Sequence, residues 1–415
     1  MAPTATLRLW VLWAFMAVSA FAAIEPSPYE AMFFVALVAF APGGLRFDPS
    51  FAPLVLCVAV FDGFALLALA PYVGDSESVS FTGVTVYITI TALFFAALVA
   101  DNPLERMRTI RSGYAFAAML AAVLGVVGYW NIAGLGAYFT AYDGARAMGP
   151  FKDPNVFGPF LVAPITWVCQ DVLLRRAPPL RSLTKLLVLL IALFLSFSRG
   201  AMIDAVAALL LVLALTFLTS PSPRLRRRVV VTAIACAVLV VALLFIALAI
   251  PSIRDIALER ATLAEDYDSG EQGRFGNQLR SIPLLLERPF GFGPFRFAKF
   301  FPADPHEVFL SAFASFGWVG GLAFAVFIAL TLYAGWTCVF RRSRVRDEAI
   351  ALWAALFPQI LQGVQIDTIH WRHLFMMIGC VFGLAAAARL ETARARAATP
   401  APGDESPPRV AVADV

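Results

Sequence analysis

The sequence predicts an all-α, polytopic membrane protein of about twelve transmembrane helices with one long outer loop. Three observations predict it. The chain has 415 residues, of which 60% are hydrophobic and only 14% charged, with a mean hydropathy of +0.79, whereas a soluble domain carries about 25% charged residues. The apolar residues fall in runs close to the ~20 residues that one bilayer crossing needs. The basic residues concentrate in every second connection, as the positive-inside rule requires.

Taken in order, the predicted spans are 7–24, 29–42, 51–71, 84–100, 112–130, 157–174, 183–197, 200–219, 229–250, 308–340, 348–366 and 371–388. The second is short. The tenth is long enough to hold a bend at Gly317, Gly320 and Gly321. Residues 1–390 read as a single transmembrane domain, with 251–305 as a long outer loop and 391–415 as a disordered tail rich in Ala, Pro, Arg, Asp and Glu. Within the loop, Leu279, Ile282 and Leu286 share one helical face, so a helix over 277–288 lies on the membrane surface or caps the bundle. Pro289-Phe290-Gly291-Phe292-Gly293-Pro294 then breaks it. The first apolar run, Arg8 to Ile24, has a cleavage-like Phe21-Ala22-Ala23, but a retained helix is preferred because the chain goes on inserting.

With the N-terminus in the cytoplasm, the inner segments collect Arg106, Arg108 and Arg111, then Arg175, Arg176, Arg181 and Lys185, and later the Arg224–Arg228 and Arg341–Arg346 clusters. The short outer loops carry only Arg146, Lys152, Arg199 and Arg372. Both termini are therefore expected in the cytoplasm. The net charge of +4 is spread by side rather than gathered in a patch, which argues against nucleic acid as a partner. All five cysteines lie inside apolar runs and read as small core residues, with no disulfide framework.

The unusual polar residues sort to the outer side. His306 precedes the tenth span, and His370 and His373 lie between the last two. Arg199 sits in the minimal turn Ser196-Phe197-Ser198-Arg199-Gly200. Lys152 belongs to Gly149-Pro150-Phe151-Lys152-Asp153-Pro154-Asn155, and Arg274 and Arg280 lie in the long loop. Cations converging at a bilayer surface make a site for an anion, most simply a phosphate or diphosphate, whose oxygens fit the guanidinium fork. Bland alternatives stand beside each. Arg199 as a helix-end residue snorkels to headgroups. Lys152–Asp153 is a surface ion pair. His306 is a satisfied loop histidine, and Gly291 and Gly293 are turn residues rather than an anion nest. Loop arginines such as Arg254, Arg260 and Arg288 read as solvated or lipid-facing. His370 and His373, with Asp367, have the spacing of a metal pair, but a structural pair is favoured, and neither metal nor cofactor is expected.

The Ser196–Gly200 run, the long loop with Arg274 and Pro289–Gly293, and His306 opening a helix with Gly317 and Gly320 together resemble the O-antigen ligase and polymerase superfamily. The segments 149–155 and His370-Trp371-Arg372-His373 fit the same resemblance, which covers most of 145–385. It implies a metal-independent enzyme of the bacterial inner membrane that moves a glycan from a polyprenyl diphosphate carrier to an acceptor hydroxyl at the periplasmic face. The acceptor is lipid A–core in ligases and a second lipid-linked glycan in polymerases. Carried over by position, Arg199 and Arg274 hold the diphosphate and His306 serves the acceptor. Lys152, Arg280, Glu307, Arg372 and His373 complete the expected substrate site. Glu307 stands where the family often has Asn, and reads either as an assisting base or as a helix N-terminal acid. The rival of another class is a transporter for an anion or lipid-linked sugar. Against it, the polar residues cluster at one surface and no internal repeat is evident.

Overall fold

A computed structural model describes residues 3–24, 26–251, 254–255, 273–302 and 304–397. The described chain is almost wholly helical: α1 (Pro3–Ala17), α2 (Pro28–Phe40), α3 (Ala52–Leu69), α4 (Ser76–Asp101), α5 (Pro103–Tyr129), α6 (Gly136–Phe139), α7 (Pro154–Leu173), α8 (Pro179–Leu195), α9 (Arg199–Thr219), α10 (Pro223–Leu248), α11 (Arg274–Leu286), α12 (Val308–Phe340), α13 (Arg346–Gln362) and α14 (Arg372–Ala397). Two short antiparallel strands, β1 (Thr140–Ala141) and β2 (Arg146–Ala147), pair Thr140 with Ala147.

Each predicted span falls on a helix. Eight helical stretches are long and apolar enough to cross a membrane. The other four, α1, α2, α8 and α13, have 15, 13, 17 and 17 residues. At about 1.5 Å per residue they are shorter than a ~30 Å hydrocarbon core. Among the described residues, length and composition alone thus mark eight candidate crossings. The predicted tail begins with the end of α14, and its residues from 398 onward lie outside the described ones.

Small residues set the closest packing. A Cβ on Gly379 of α14 would stand 2.3 Å from the Ala92 carbonyl, and one on Gly383 would stand 2.6 Å from the Val99 Cβ, so α14 lies directly on α4. Without a hydrophobic drive between helices in lipid, such close backbone approach is what holds them together. At one end of the bundle Arg111 joins three helices. Its guanidinium pairs with Asp171 of α7 at 2.9 Å and Glu348 of α13 at 2.6 Å, and also reaches Gln170.

The bend in α12 falls at Gly317, whose φ of 74° only glycine adopts without strain. The break frees two backbone groups, and the segment after α11 takes them. Trp318 N donates to the Pro289 carbonyl at 2.9 Å, and Phe292 N donates to the Ala314 carbonyl at 2.7 Å. The Pro289–Gly293 run is therefore a turn docked into a kinked helix. Beside it Phe292, Phe297, Phe301, Leu285 and Ala314 form a small separate core that fixes α11 to α12.

Candidate functional site

The turn before α9 is built around an arginine. Phe197 has a φ of 47°, a left-handed conformation uncommon for a side chain of its size. Arg146 of β2, 4% exposed, donates from Nε to the Ser196 carbonyl at 2.8 Å and from a terminal nitrogen to Asn155 Oδ1 at 2.9 Å. Its guanidinium also faces the Tyr142 ring at 5.5 Å. One buried fork thereby ties the β-hairpin, the start of α7 and the α8–α9 turn. Asp153 caps α7 through a 2.7 Å bond from Asn155 N. Arg199 follows as the half-buried first residue of α9. A cation there opposes the helix dipole, so helix stability does not explain it.

Several contacts bring the other helix starts to the same end. Gly200 lies against Gln362, whose Nε2 would be 2.1 Å from an added Cβ. The next residue, Gly363, accepts from Val308 N at 2.8 Å and so holds the start of α12. His306 sits just before it, exposed and with a φ of 48°. The Glu307 carboxylate caps α12, accepting from Phe309 N at 2.9 Å and from Leu310 N. Burial raises the Glu307 carboxyl above its ordinary range, and the two backbone bonds oppose the shift. On the other flank Gln278 of α11 donates to the Pro305 carbonyl, next to His306. Arg274 is the first residue of α11, one turn before Gln278, so its backbone belongs to this corner; its side chain lies outside the described ones. Arg280 turns elsewhere, to Asn277 Oδ1 at 2.6 Å and the Phe301 ring at 5.9 Å.

Two hollows open on the elements of this corner. One, of about 280 Å³, is lined by Lys152, Asp153, Asp367, His370 and Arg372 among others. Lys152 is exposed. Arg372 opens α14 and is bonded to Glu30, the first-turn acid of α2, at 2.8 Å through Nε. The second hollow, of about 440 Å³, is an apolar cleft between α11 and α12 lined by Phe275, Leu279, Ile282, Leu310 and Phe313, and it reaches Glu307. The α11 face bearing Leu279 and Leu286 is the exposed one, while Asn277, Ser281 and Leu285 face inward.

The two downstream histidines part company. His370 meets Thr85 Oγ1 at 2.9 Å and the Phe81 ring at 4.5 Å, both on α4. His373 is buried, bonded to Gln359 Oε1 at 3.0 Å and stacked on Trp371.

The structure adds Gln362 to the residues singled out from sequence and gives Arg146 and Asp367 structural parts that the sequence did not assign them. Arg146 was legible only as one of four cations in the short outer loops. Asp367 accepts from Ser311 Oγ at 2.6 Å and Ile369 N at 2.9 Å. Burial pushes its carboxyl up to about 6, and the neighbouring charges of Glu307 and Asp304 act in the same direction against those two hydrogen bonds.

A search of curated proteins gives no match. Residues 185–325, from α8 into α12, match the family model described as O-antigen ligase, a stretch that takes in Arg199, Arg274, Arg280, His306 and Glu307. With the helical membrane fold around it, this match, over about a third of the chain, supports the resemblance to the O-antigen ligase and polymerase superfamily that the motifs led one to expect.

Proposed function

We propose that the protein is an O-antigen ligase-type glycosyltransferase of the bacterial inner membrane, transferring a glycan from a polyprenyl diphosphate carrier to a hydroxyl of lipid A–core at the periplasmic face. The observation that carries this reading is the gathering of Arg199, the Arg274 helix start and His306 at one end of the bundle, through Gly200–Gln362, Gly363–Val308 and Gln278–Pro305. An amphiphilic donor suits this corner, whose elements line a polar hollow and an apolar cleft.

In the proposed reaction the donor diphosphate docks on Arg199 and Arg274 at the starts of α9 and α11. Helix starts already favour anions, and the guanidinium forks add charge-assisted hydrogen bonds. The acceptor oxygen attacks the anomeric carbon as the bond from that carbon to the diphosphate oxygen breaks. The bonding pair leaves with the diphosphate, and the arginines stabilise its growing charge. The acceptor proton passes to neutral His306, a step worth about 10²–10⁴-fold. The leaving group travels on the donor, so no further energy source and no metal is invoked. Lys152 and Arg372 border the polar hollow, where they meet the glycan or the acceptor. Glu307 caps α12 and so fixes where His306 stands. Both termini lie in the cytoplasm in this reading.

The test is a gel of lipopolysaccharide, with the lipid-linked glycan pool, from a strain lacking the gene. A ligase leaves lipid A without polymer while long chains accumulate on the carrier. Lipid A carrying a single repeat unit identifies a polymerase instead. Unchanged glycans in every fraction reject both.

A further inference from the structure

A further hollow lies far from this corner. It holds about 540 Å³ and sits where α5, α7, α8 and α13 meet. Asn155, beside the Arg199 turn, and Asp171, on the wall of the hollow, are sixteen residues apart on α7. At 1.5 Å per residue that puts the two sites roughly 24 Å apart along the helix.

Its wall carries five cations and two carboxylates. The carboxylates are already engaged. Asp171 pairs with Arg111, and Glu348 takes both Arg111 and Arg176. Three cations remain, Arg108, Lys185 and Arg344. All three are exposed, and their side chains make no ion pair or hydrogen bond among the described residues. They come from three separate segments, α5, α8 and the α12–α13 connection, so the hollow concentrates positive charge; among the described residues the one carboxylate bonded to these three residues is Glu391, which accepts from the backbone N of Arg344 at 2.8 Å and not from a side chain. The rest of the wall is apolar, with Pro164, Trp167 and Val168.

The hollow also continues into a surface made for hydrocarbon. Leu104, Arg108, Ser112 and Phe116 repeat every four residues on the outward stripe of α5, and Leu104 and Phe116 are 41% and 50% exposed. Trp13 packs on Phe116 at 5.3 Å and donates its indole N–H to Ser112 at 3.2 Å. A tryptophan with its ring on an apolar residue and its N–H on a polar one is typical of the membrane–water boundary. A free anion has no use for such a stripe; a lipid does.

We propose that this hollow binds the phosphate of an anionic membrane phospholipid, held by Arg108, Lys185 and Arg344, with its acyl chains along the Leu104–Phe116 stripe of α5. Basic clusters attract anionic headgroups with a free energy that grows with each Lys or Arg near the surface. Arg111 is not part of the cradle, because its partners inside the bundle are complete.

The test uses the full-length protein in a neutral detergent, titrated with short-chain phosphatidylglycerol, short-chain phosphatidylcholine and inorganic phosphate, with Trp fluorescence as readout. Phosphatidylglycerol is expected to bind at least about tenfold more tightly than phosphatidylcholine, as three unpaired cations imply. The Arg108→Gln/Lys185→Gln/Arg344→Gln variant is expected to erase that preference while eluting and melting like the wild type. Arg108→Glu alone is expected to weaken it in the same direction. Equal affinity for the two lipids, or a preference that survives the triple variant, overturns the proposal. Displacement of phosphatidylglycerol by inorganic phosphate at matching concentrations also overturns it, in favour of a free-anion site.

Discussion

Replacing Arg146 tests whether the Arg199 turn is held from outside the two helices that it joins. Arg146 is 4% exposed and donates to the Ser196 carbonyl and to Asn155 Oδ1. Hydrogen bonds from a charged donor contribute about 1.5–3 kcal/mol each, so Arg146→Ala is expected to cost roughly 3–6 kcal/mol, part of it from the buried carbonyl left unpaired. Arg146→Lys keeps the charge but not the planar fork, and one ammonium cannot reproduce both bonds in the guanidinium geometry. About half the loss should remain. The effect on transfer follows from Phe197, held at a φ of 47° directly after Ser196. A residue with a Cβ stays there only when its surroundings enforce it, at about 1–3 kcal/mol. Released from Arg146, the turn relaxes and carries Arg199 with it. A shift near 1 Å in a positioning group costs about 10²-fold in rate. The assay pairs thermal unfolding of the purified protein with glycan transfer in isolated membranes. Wild-type stability and transfer in Arg146→Lys would refute the reasoning, because the fork would then hold nothing that the reaction needs.

Three further outcomes are expected. Gly317→Ala should destabilise the protein by more than about 2 kcal/mol, since a Cβ there would stand 2.2 Å from the Pro289 carbonyl at a φ of 74°; a Gly317→Ala protein that expresses and melts normally removes the docked-turn account. Asp367, whose carboxyl lies at about 6 in the fold against about 3.9 when unfolded, favours the folded state most when protonated. Stability should fall as pH rises from about 4 to 6 and stay lower above that, and melting curves of Asp367→Asn should lack this fall. Glu307→Ala should lose about 1 kcal/mol with the cap on α12, and Glu307→Ser should restore the melting temperature. Transfer that returns with Ser assigns Glu307 to capping alone, whereas transfer still lost assigns it a further part in the acceptor site.

Much of the fold is written locally and was therefore legible. A span needs only a run of apolar residues, so every predicted segment landed on a helix, and the bend in the long one fell on the first of its glycines. The short helices show the limit. Hydropathy marks where α2 and α13 lie, but their 13 and 17 residues are fixed by the capping box at Ser27 and by the turn at Gly363, which hydropathy does not see. Arg199 stood out in the sequence as a cation in a minimal turn between two spans, and Arg274 only through the resemblance, and both prove to open helices. The site was not legible where the partner is remote in sequence. Nothing near Arg372 announces Glu30, and nothing in the short β-hairpin announces that Arg146 reaches Ser196. The same holds for His370 and His373. Their spacing leaves them close in the chain, and only packing against Phe81 on one side and Gln359 on the other separates them.

The most direct measurement of the central claim is turnover by the purified protein in liposomes carrying a polyprenyl diphosphate-linked glycan and lipid A–core. Wild type should form the lipid A–glycan product and release the polyprenyl diphosphate. Arg199→Ala, folded and inserted like the wild type, should lose transfer by about 10²–10³-fold, the loss expected when a preorganised donor to developing charge is removed. Transfer by Arg199→Ala at the wild-type rate, or donor that crosses the bilayer intact with no product formed, would contradict the account.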